Sequence, residues 1–283
     1  MLDCARFRLG ARASEARTPA PHRRRAVSPP GIGERSGGRE GVEHEDQAEW
    51  PGRDRRSPPL DHPDYLCSKA LSAALRAALA RELGDRRDLD VLDVGCGQKP
   101  FFPFLAGRAR AYVGTDIVPG PTVDLVCPVE ALGVPDASQD VVICLSVLEH
   151  VDDPARAVRE LHRVLRPGGV VLAATHGCFP WHPYPQDHWR WTQTGLVLLF
   201  RDAGGFRSVQ LTSTRGTWSG IFFLLAHYAY QWLSLRRWRR PLRRGIVSAI
   251  NWLGERIDAR APGLADPARE VTAIPDFFVV ARP

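Results

Sequence analysis

The segment FPWHPYPQDHWRWT, Phe179 to Thr192, gathers three Trp, two His, three Pro, one Tyr, one Asp and one Arg in fourteen residues. His182, Asp187 and His188 are groups of the kind that take a proton from a hydroxyl within hydrogen-bond reach. Trp181, Tyr184, Trp189 and Trp191 offer flat apolar faces suited to a sugar or quinone ring. Arg190 offers a fork for a carboxylate or phosphate. The prolines argue against a regular helix or a central strand, so these groups belong on a loop. A second constellation lies upstream. Gly95-Cys96-Gly97 ends an apolar run, and Asp116 follows nineteen residues after Gly97. A glycine turn lets a ligand approach the backbone closely. An acid at the end of the next strand accepts hydrogen bonds from ribose hydroxyls. The pair predicts a nucleoside-bearing cofactor. Pro100 stands where a dinucleotide fingerprint has its third glycine, and it removes an amide that a pyrophosphate needs. That favours a cofactor without pyrophosphate. Asp93, inside the strand, suits a cationic amino-acid moiety.

The elements that must position these groups are legible as alternation. LDVLDVGCG runs as an apolar strand into its glycines, and AYVGTDI is a second strand ending in an acid. DVVICLSVL and GVVLAAT are a third and fourth. Between these last two, Ala157, Val158, Leu161, Val164 and Leu165 fall on one face of a helix that Pro167 and two glycines end. Upstream, Leu66, Ala70, Ala74, Leu75, Ala78, Leu79 and Leu83 recur at helical spacing before Gly84. Apolar strands alternating with helices predict an α/β fold with a parallel sheet covered on both faces. The aromatic loop then follows the fourth strand, at the ligand-binding end of such a sheet.

VLDVGCGQKPF resembles motif I of the class I S-adenosylmethionine-dependent methyltransferases, with a type 11-like domain. YVGTDI and VEALGVPDASQDVVICLSVLEHVDDPARAVRELHRVLRPGG follow in the family's order. The resemblance runs over residues 65–213 and the last strand. It implies a Rossmann-like seven-stranded doubly wound sheet, mostly parallel with an antiparallel last strand, and S-adenosyl-L-methionine as cofactor. Asp93, Gly95, Cys96 and Gly97 would line the methionine end of the cofactor. Asp116 would hold the ribose, Ile117 would pack on adenine, and Val129, Glu130 and Leu145 would lie nearby. Pro128 departs from the acid the family often has before VEAL, so a backbone contact would replace a side-chain bond to the adenine amine. LEHV resembles a subgroup acting on small or lipid-like acceptors. Glu149 and His150 would there assist the acceptor or a metal; read alone, they are equally a capping pair at the mouth. HPYPQDHWRWT…GL also resembles a stretch of methyltransferases of cell-surface glycan and glycolipid pathways. The expected activity is methyl transfer, by O-methylation, to a small-molecule, glycan or lipid-linked acceptor. His182, Asp187 and His150 are the acid–base candidates, and Trp181, Tyr184, Arg190 and Trp191 the acceptor contacts. The remaining readings are a non-catalytic binding module, a nucleotide-dependent Rossmann enzyme, and, for the loop, a packed lid in which Asp187 and Arg190 pair with each other.

Two regions lie outside this pattern. Residues 1–60 hold twelve arginines and nine acids with few large apolar residues and are expected to be a disordered tail, leaving 61–283 as the methyltransferase domain. Residues 215–262 separate the last two strands as a helical C-terminal insertion. From Ala203 to Gly254 there is no acid and there are eight arginines, a local charge of +8 against +6 for the whole chain. Within it, TWSGIFFLLAHYAYQWLSL is apolar and aromatic, and RRWRRPLRR follows. A single membrane span would leave the last strand on the far side of the bilayer from its sheet. We therefore expect residues 217–257 to form an interfacial hairpin on an anionic membrane surface, with a cap on the protein's own core as the alternative. Interleaved Arg and Trp can bind RNA, but no recognised nucleic-acid motif accompanies them. The six scattered cysteines, with no zinc spacing, predict a cytoplasmic protein with reduced thiols and no metal; the basic insertion adds the expectation that it is peripheral on the inner face of the membrane.

Overall fold

The computed structural model describes residues 50–182, 185–235, 239–260 and 275–283. Seven strands form one sheet in the order β3-β2-β1-β4-β5-β7-β6. They are β1 (Leu89–Val94), β2 (Ala109–Asp116), β3 (Leu125–Val126), β4 (Gln139–Leu145), β5 (Leu165–His176), β6 (Ser208–Ser213) and β7 (Asp276–Arg282). All pairings are parallel except those of β7, which is antiparallel to both β5 and β6. The expected doubly wound sheet with an antiparallel last strand is therefore the one observed. The two-residue β3 carries no sequence signal of its own.

The central strands are apolar on both faces because both faces are covered. Leu92, Val142, Cys144, Val171 and Ala173 point to one side and pack with Ala157, Val158, Leu161 and Val164 of α3 (Pro154–Val164). Their alternates Val91, Val141, Ile143, Val170 and Leu172 point to the other and meet Leu75, Leu79 and Leu83 of α2 (Tyr65–Leu83). The period of two in a strand assigns these residues to opposite faces. α3 starts where the sequence says it should: the Asp153 side chain accepts from Arg156 N, and Pro154 opens the helix.

The described residues begin at Trp50, ahead of the expected boundary at residue 60. A short helix α1 (Arg53–Arg56) sits against the glycine turn. Buried Arg56 donates to the carbonyls of Trp50, Pro51 and Pro100, and Trp50 Nε1 donates to Lys99 O. An arginine buried by carbonyl hydrogen bonds leaves no apolar period in the sequence, so the segment reads as tail. Residues 1–49 lie outside the described residues. Helix α4 (Gln193–Leu198), continued by a π turn, follows the aromatic loop. Helices α5 (Thr217–Ser234) and α6 (Arg240–Arg260) form the hairpin between β6 and β7. Asn251 Nδ2 ties it to the body by donating to the carbonyls of Leu60 and His62. Among the described residues no helix is long and apolar enough to cross a membrane.

Candidate functional site

The glycine turn and Asp116 meet at the C-terminal ends of β1 and β2. Gly97 has φ +50°, and a Cβ placed there would meet nothing within 4 Å. The turn is thus an open cradle whose backbone a ligand can approach. Asp116 accepts from Gly97 N at 2.9 Å on one carboxylate oxygen and from Val118 N at 3.1 Å on the other. A carboxylate has about four acceptor positions, so those two bonds fix its orientation and leave capacity for ribose hydroxyls. Ile117 follows it, 58% exposed, as an apolar surface beside the cradle. Glu130 accepts from Asp152 N. Val129 and Leu145 are buried in the two cores, so only their backbones can border a cofactor.

Two expectations change here. The Cys96 side chain does not open onto the cradle: its N–H donates to Thr115 O, and its buried thiol lies beneath Gly114 and donates to Gly97 O at 3.8 Å. Burial, with Asp93 and Asp116 nearby, pushes that thiol up to about 12. Asp93 is buried and accepts from the Tyr112 hydroxyl at 2.7 Å. Burial raises its pKa to about 7, against the opposing pull of Tyr112 and Lys99. The nearby ammonium belongs to Lys99, paired with Asp124 at 2.5 Å.

The aromatic loop is held at the ends of β4 and β5. His188 N and Trp189 N both donate to Glu149 O, Trp189 Nε1 donates to Val151 O, and Trp191 N donates to His176 O. Three prolines leave the loop rich in carbonyls and poor in N–H groups. Arg190 supplies what is missing. Its Nε donates to Phe179 O, its two terminal nitrogens donate to Trp189 O and Pro180 O, and both terminal nitrogens also reach the Asp187 carboxylate. A guanidinium has five N–H donors, and all five are spent inside the loop. Arg190 is therefore a clip and not a contact for a carboxylate or phosphate on the acceptor.

Asp187 accepts from Arg190 and from His182 N and Nδ1. Burial opposes the charge, but the Arg190 and His182 bonds outweigh it and hold this carboxyl well below its usual range. Four donors occupy its two oxygens, so in this structure it acts as an acceptor that fixes the His182 ring. Because an ionised carboxylate only accepts, His182 Nδ1 carries a proton in that 2.9 Å bond. His150 repeats the arrangement. Its Nδ1 lies 2.9 Å from Gln186 O, which also only accepts, and burial lowers its pKa. The two rings lie 5.0 Å apart. The site therefore contains two imidazoles whose Nδ1 atoms are held by acceptors, the Nε2 of His150 lying 3.9 Å from Glu149 Oε1. His188 lies elsewhere, with Nε2 3.5 Å from Asp152. Trp181 is 71% exposed, whereas Trp191 is packed against the core and is a support more than a wall. Tyr184 lies outside the described residues.

Beneath the loop is a group that the sequence did not advertise. His176, at the end of β5, has Nδ1 2.6 Å from Asp276 and Nε2 3.0 Å from Glu149. Glu149 is fully buried and also accepts from the Thr175 hydroxyl at 2.8 Å. Burial would lower the His176 pKa, but the Glu149 charge and the bonds to both acids push it up to about 10. Phe179, the first residue of the loop, stacks on this imidazolium at 3.8 Å. The available signal was a histidine closing an apolar strand and an acid opening the last one.

The methyltransferase domain family model matches residues 92–173. Over 96 residues the chain is 41% identical to a Mycolicibacterium smegmatis protein named "Probable S-adenosylmethionine-dependent methyltransferase", covering 30% of this chain and 37% of that one. It is 36% identical over 148 residues to a ubiquinone biosynthesis O-methyltransferase of Pseudomonas paraeruginosa, covering 46% and 61%. A malonyl-[acyl-carrier protein] O-methyltransferase of Serratia marcescens is 31% identical over 118 residues, covering 35% and 46%. The chain thus spans between 37% and 61% of the length of these relatives. The matched segment contains the cradle, Asp116 and the β4 end, and the cofactor they fit is S-adenosyl-L-methionine. Over residues 92–173 the chain is thus similar to the S-adenosylmethionine-dependent methyltransferases.

Proposed function

We propose that the protein methylates a hydroxyl on a small-molecule acceptor, and that the acceptor is a sugar, glycolipid or other lipid-linked compound. The observation that carries this reading is the His182–Asp187 pair beside His150 at the strand ends. A hydroxyl is a weak nucleophile until its proton has somewhere to go. S-adenosylmethionine, when bound, supplies a methyl group on a cationic sulfur that departs as a neutral thioether. The chain's residues do the rest. Asp116 and the Gly97 cradle hold the cofactor, with Ile117 beside them. The lid excludes water and sets the acceptor in line. Asp187 fixes the His182 tautomer so that Nε2 takes the hydroxyl proton as the new C–O bond forms. His150 is the second acceptor of that proton. Two of the relatives are named O-methyltransferases, which supports oxygen over nitrogen or carbon.

The test incubates the full chain and S-adenosylmethionine with lipid and glycan extracts. Mass spectrometry then looks for a product heavier by CH2, formed in step with S-adenosylhomocysteine. An acceptor methylated on nitrogen or carbon would overturn the O-methyl assignment. Tight cofactor binding with no turnover on any hydroxylated fraction would favour the binding-module reading instead.

A further inference from the structure

Helix α5 is apolar on two faces, and only one of them packs on the body of the protein. Its inner face buries Phe223, Ala226 and Leu233. Phe223 packs with Tyr65 and Leu66 and lies 4.9 Å from the Phe179 ring of the lid. The outer face presents Trp218, Ile221, Leu225, Tyr228 and Trp232, with Leu235 just past the helix end. The steps are three, four, three, four and three residues, a continuous stripe. These six side chains are between 38% and 76% exposed. A stripe this long, on one helix, is more than the single scattered apolar residues normal to a surface.

Charge and side-chain type decide what covers it. No acid occurs between Ala203 and Gly254, and Arg239, Arg240, Arg243 and Arg244 follow the stripe's C-terminal end. The Arg243 guanidinium sits 4.2 Å from the Tyr230 ring, and Arg239 5.3 Å from the Trp232 ring. Arg244 pairs with Asp61 at 2.8 Å and is partly neutralised. A second copy of the chain stacked in parallel along the stripe would set arginines against arginines. Trp and Tyr, apolar in body and polar at one end, suit the headgroup layer of a bilayer better than a knobs-into-holes seam. An 18-residue helix is about 27 Å long, enough to lie flat as a strip of contact. We propose that the outer face of α5 docks on an anionic lipid surface, with the arginines after it at the headgroup phosphates. The docked helix then lies one aromatic layer, Phe223 on Phe179, from the lid. Docking stands apart from the methyl-transfer reading, and its test needs no turnover.

The full chain is sedimented with phosphatidylcholine vesicles and with mixed phosphatidylcholine–phosphatidylglycerol vesicles. Recovery is expected with the mixed vesicles and little with the neutral ones. Arg240→Gln should weaken binding roughly fivefold, and Arg239→Gln with it by a further similar factor. Trp232→Gln with Leu235→Gln should weaken it by at least about tenfold. Both positions are more than half exposed, and circular dichroism of the variants checks that they fold. Equal recovery from both vesicle types, or wild-type binding by the Trp232/Leu235 variant, overturns the proposal. So does a lipid-free dimer in sedimentation velocity that the same variant dissolves, which would make the occupant a second copy.

Discussion

The lid at 179–192 and the hairpin α5–α6 are built from the same materials and dispose of them in opposite ways. Both set arginine among tryptophans, and both lie outside the sheet's own strands. In the lid, Arg190 spends five donors on its own loop, and Trp189 and Trp191 find a carbonyl, a stack and the core. In the hairpin, Trp218 and Trp232 stay exposed and no acid is near in sequence to neutralise the arginines. Composition alone does not separate a structural clip from a docking surface. Counting where each donor goes, and which apolar faces find a partner, does.

The largest effect expected in the lid is on turnover. His182→Ala removes the oriented base and should lower kcat by about 10²–10⁴ while cofactor affinity stays within about twofold. Titration calorimetry beside steady-state kinetics checks both. Full turnover in this variant would reduce the segment to a well-packed cover. Asp116→Ala should do the reverse. Losing charge-assisted hydrogen bonds of roughly 1.5–3 kcal/mol weakens S-adenosylmethionine binding by about tenfold to a hundredfold. Binding at wild-type affinity would refute the cradle.

Next comes the anchor below the lid. His176→Gln leaves Glu149 and Asp276 buried without their cation and should cost about 3–5 kcal/mol of stability, read by denaturant melts. The pH dependence has a definite sign. The folded-state pKa of His176 is raised from 6.5 to about 10, so its stabilisation is full below pH 6.5 and is lost as pH rises through 10. Glu149 is lowered from 4.5: burial opposes this, but the His176 charge and bonds prevail. Its contribution is therefore present above pH 4.5 and fades in acid. The wild-type protein should thus lose stability between pH 6.5 and 10, and the Gln variant should lose much less over the same interval. Parallel pH curves would mean that His176 is not the cation assigned.

A smaller effect tests the clip. Arg190→Lys keeps the charge but offers three donors in place of five and no planar fork. We expect about 1–2 kcal/mol of local loosening, seen as faster proteolysis within 179–192, with global melting nearly unchanged.

How far the sequence reached follows from what each signal encodes. The sheet was legible because buried parallel strands must be apolar, and the glycine turn with its acid because both sit at strand ends, where Gly97 N donates to Asp116. Their register nineteen residues apart survives without any side-chain partner being known. The lid's internal roles were not legible. Asp187 reads as a base until four donors around it are seen, and Arg190 reads as a ligand fork until its carbonyls are counted. Cys96 reads as lining until its thiol turns under Gly114. His176 and Asp276 are a hundred residues apart and meet only because β7 pairs with β5. Arg56 was hidden in a segment whose composition is that of a tail.

The smallest effect expected is the one that most sharply separates lid from hairpin. Trp232→Gln with Leu235→Gln touches neither the cradle nor His182. On a water-soluble acceptor its kcat and KM should remain within about twofold of wild type. On the same acceptor headgroup presented in anionic vesicles, the apparent KM should rise by about the factor lost in vesicle binding, with kcat held. The reason is mass action: the hairpin raises the local concentration of acceptor at the surface without altering the chemistry at the strand ends. A fall in kcat on the soluble acceptor would mean that α5 acts on the lid through the Phe223–Phe179 contact, making lid and hairpin one device. An unchanged KM in vesicles would mean that the stripe contributes nothing to delivery, even if it binds lipid.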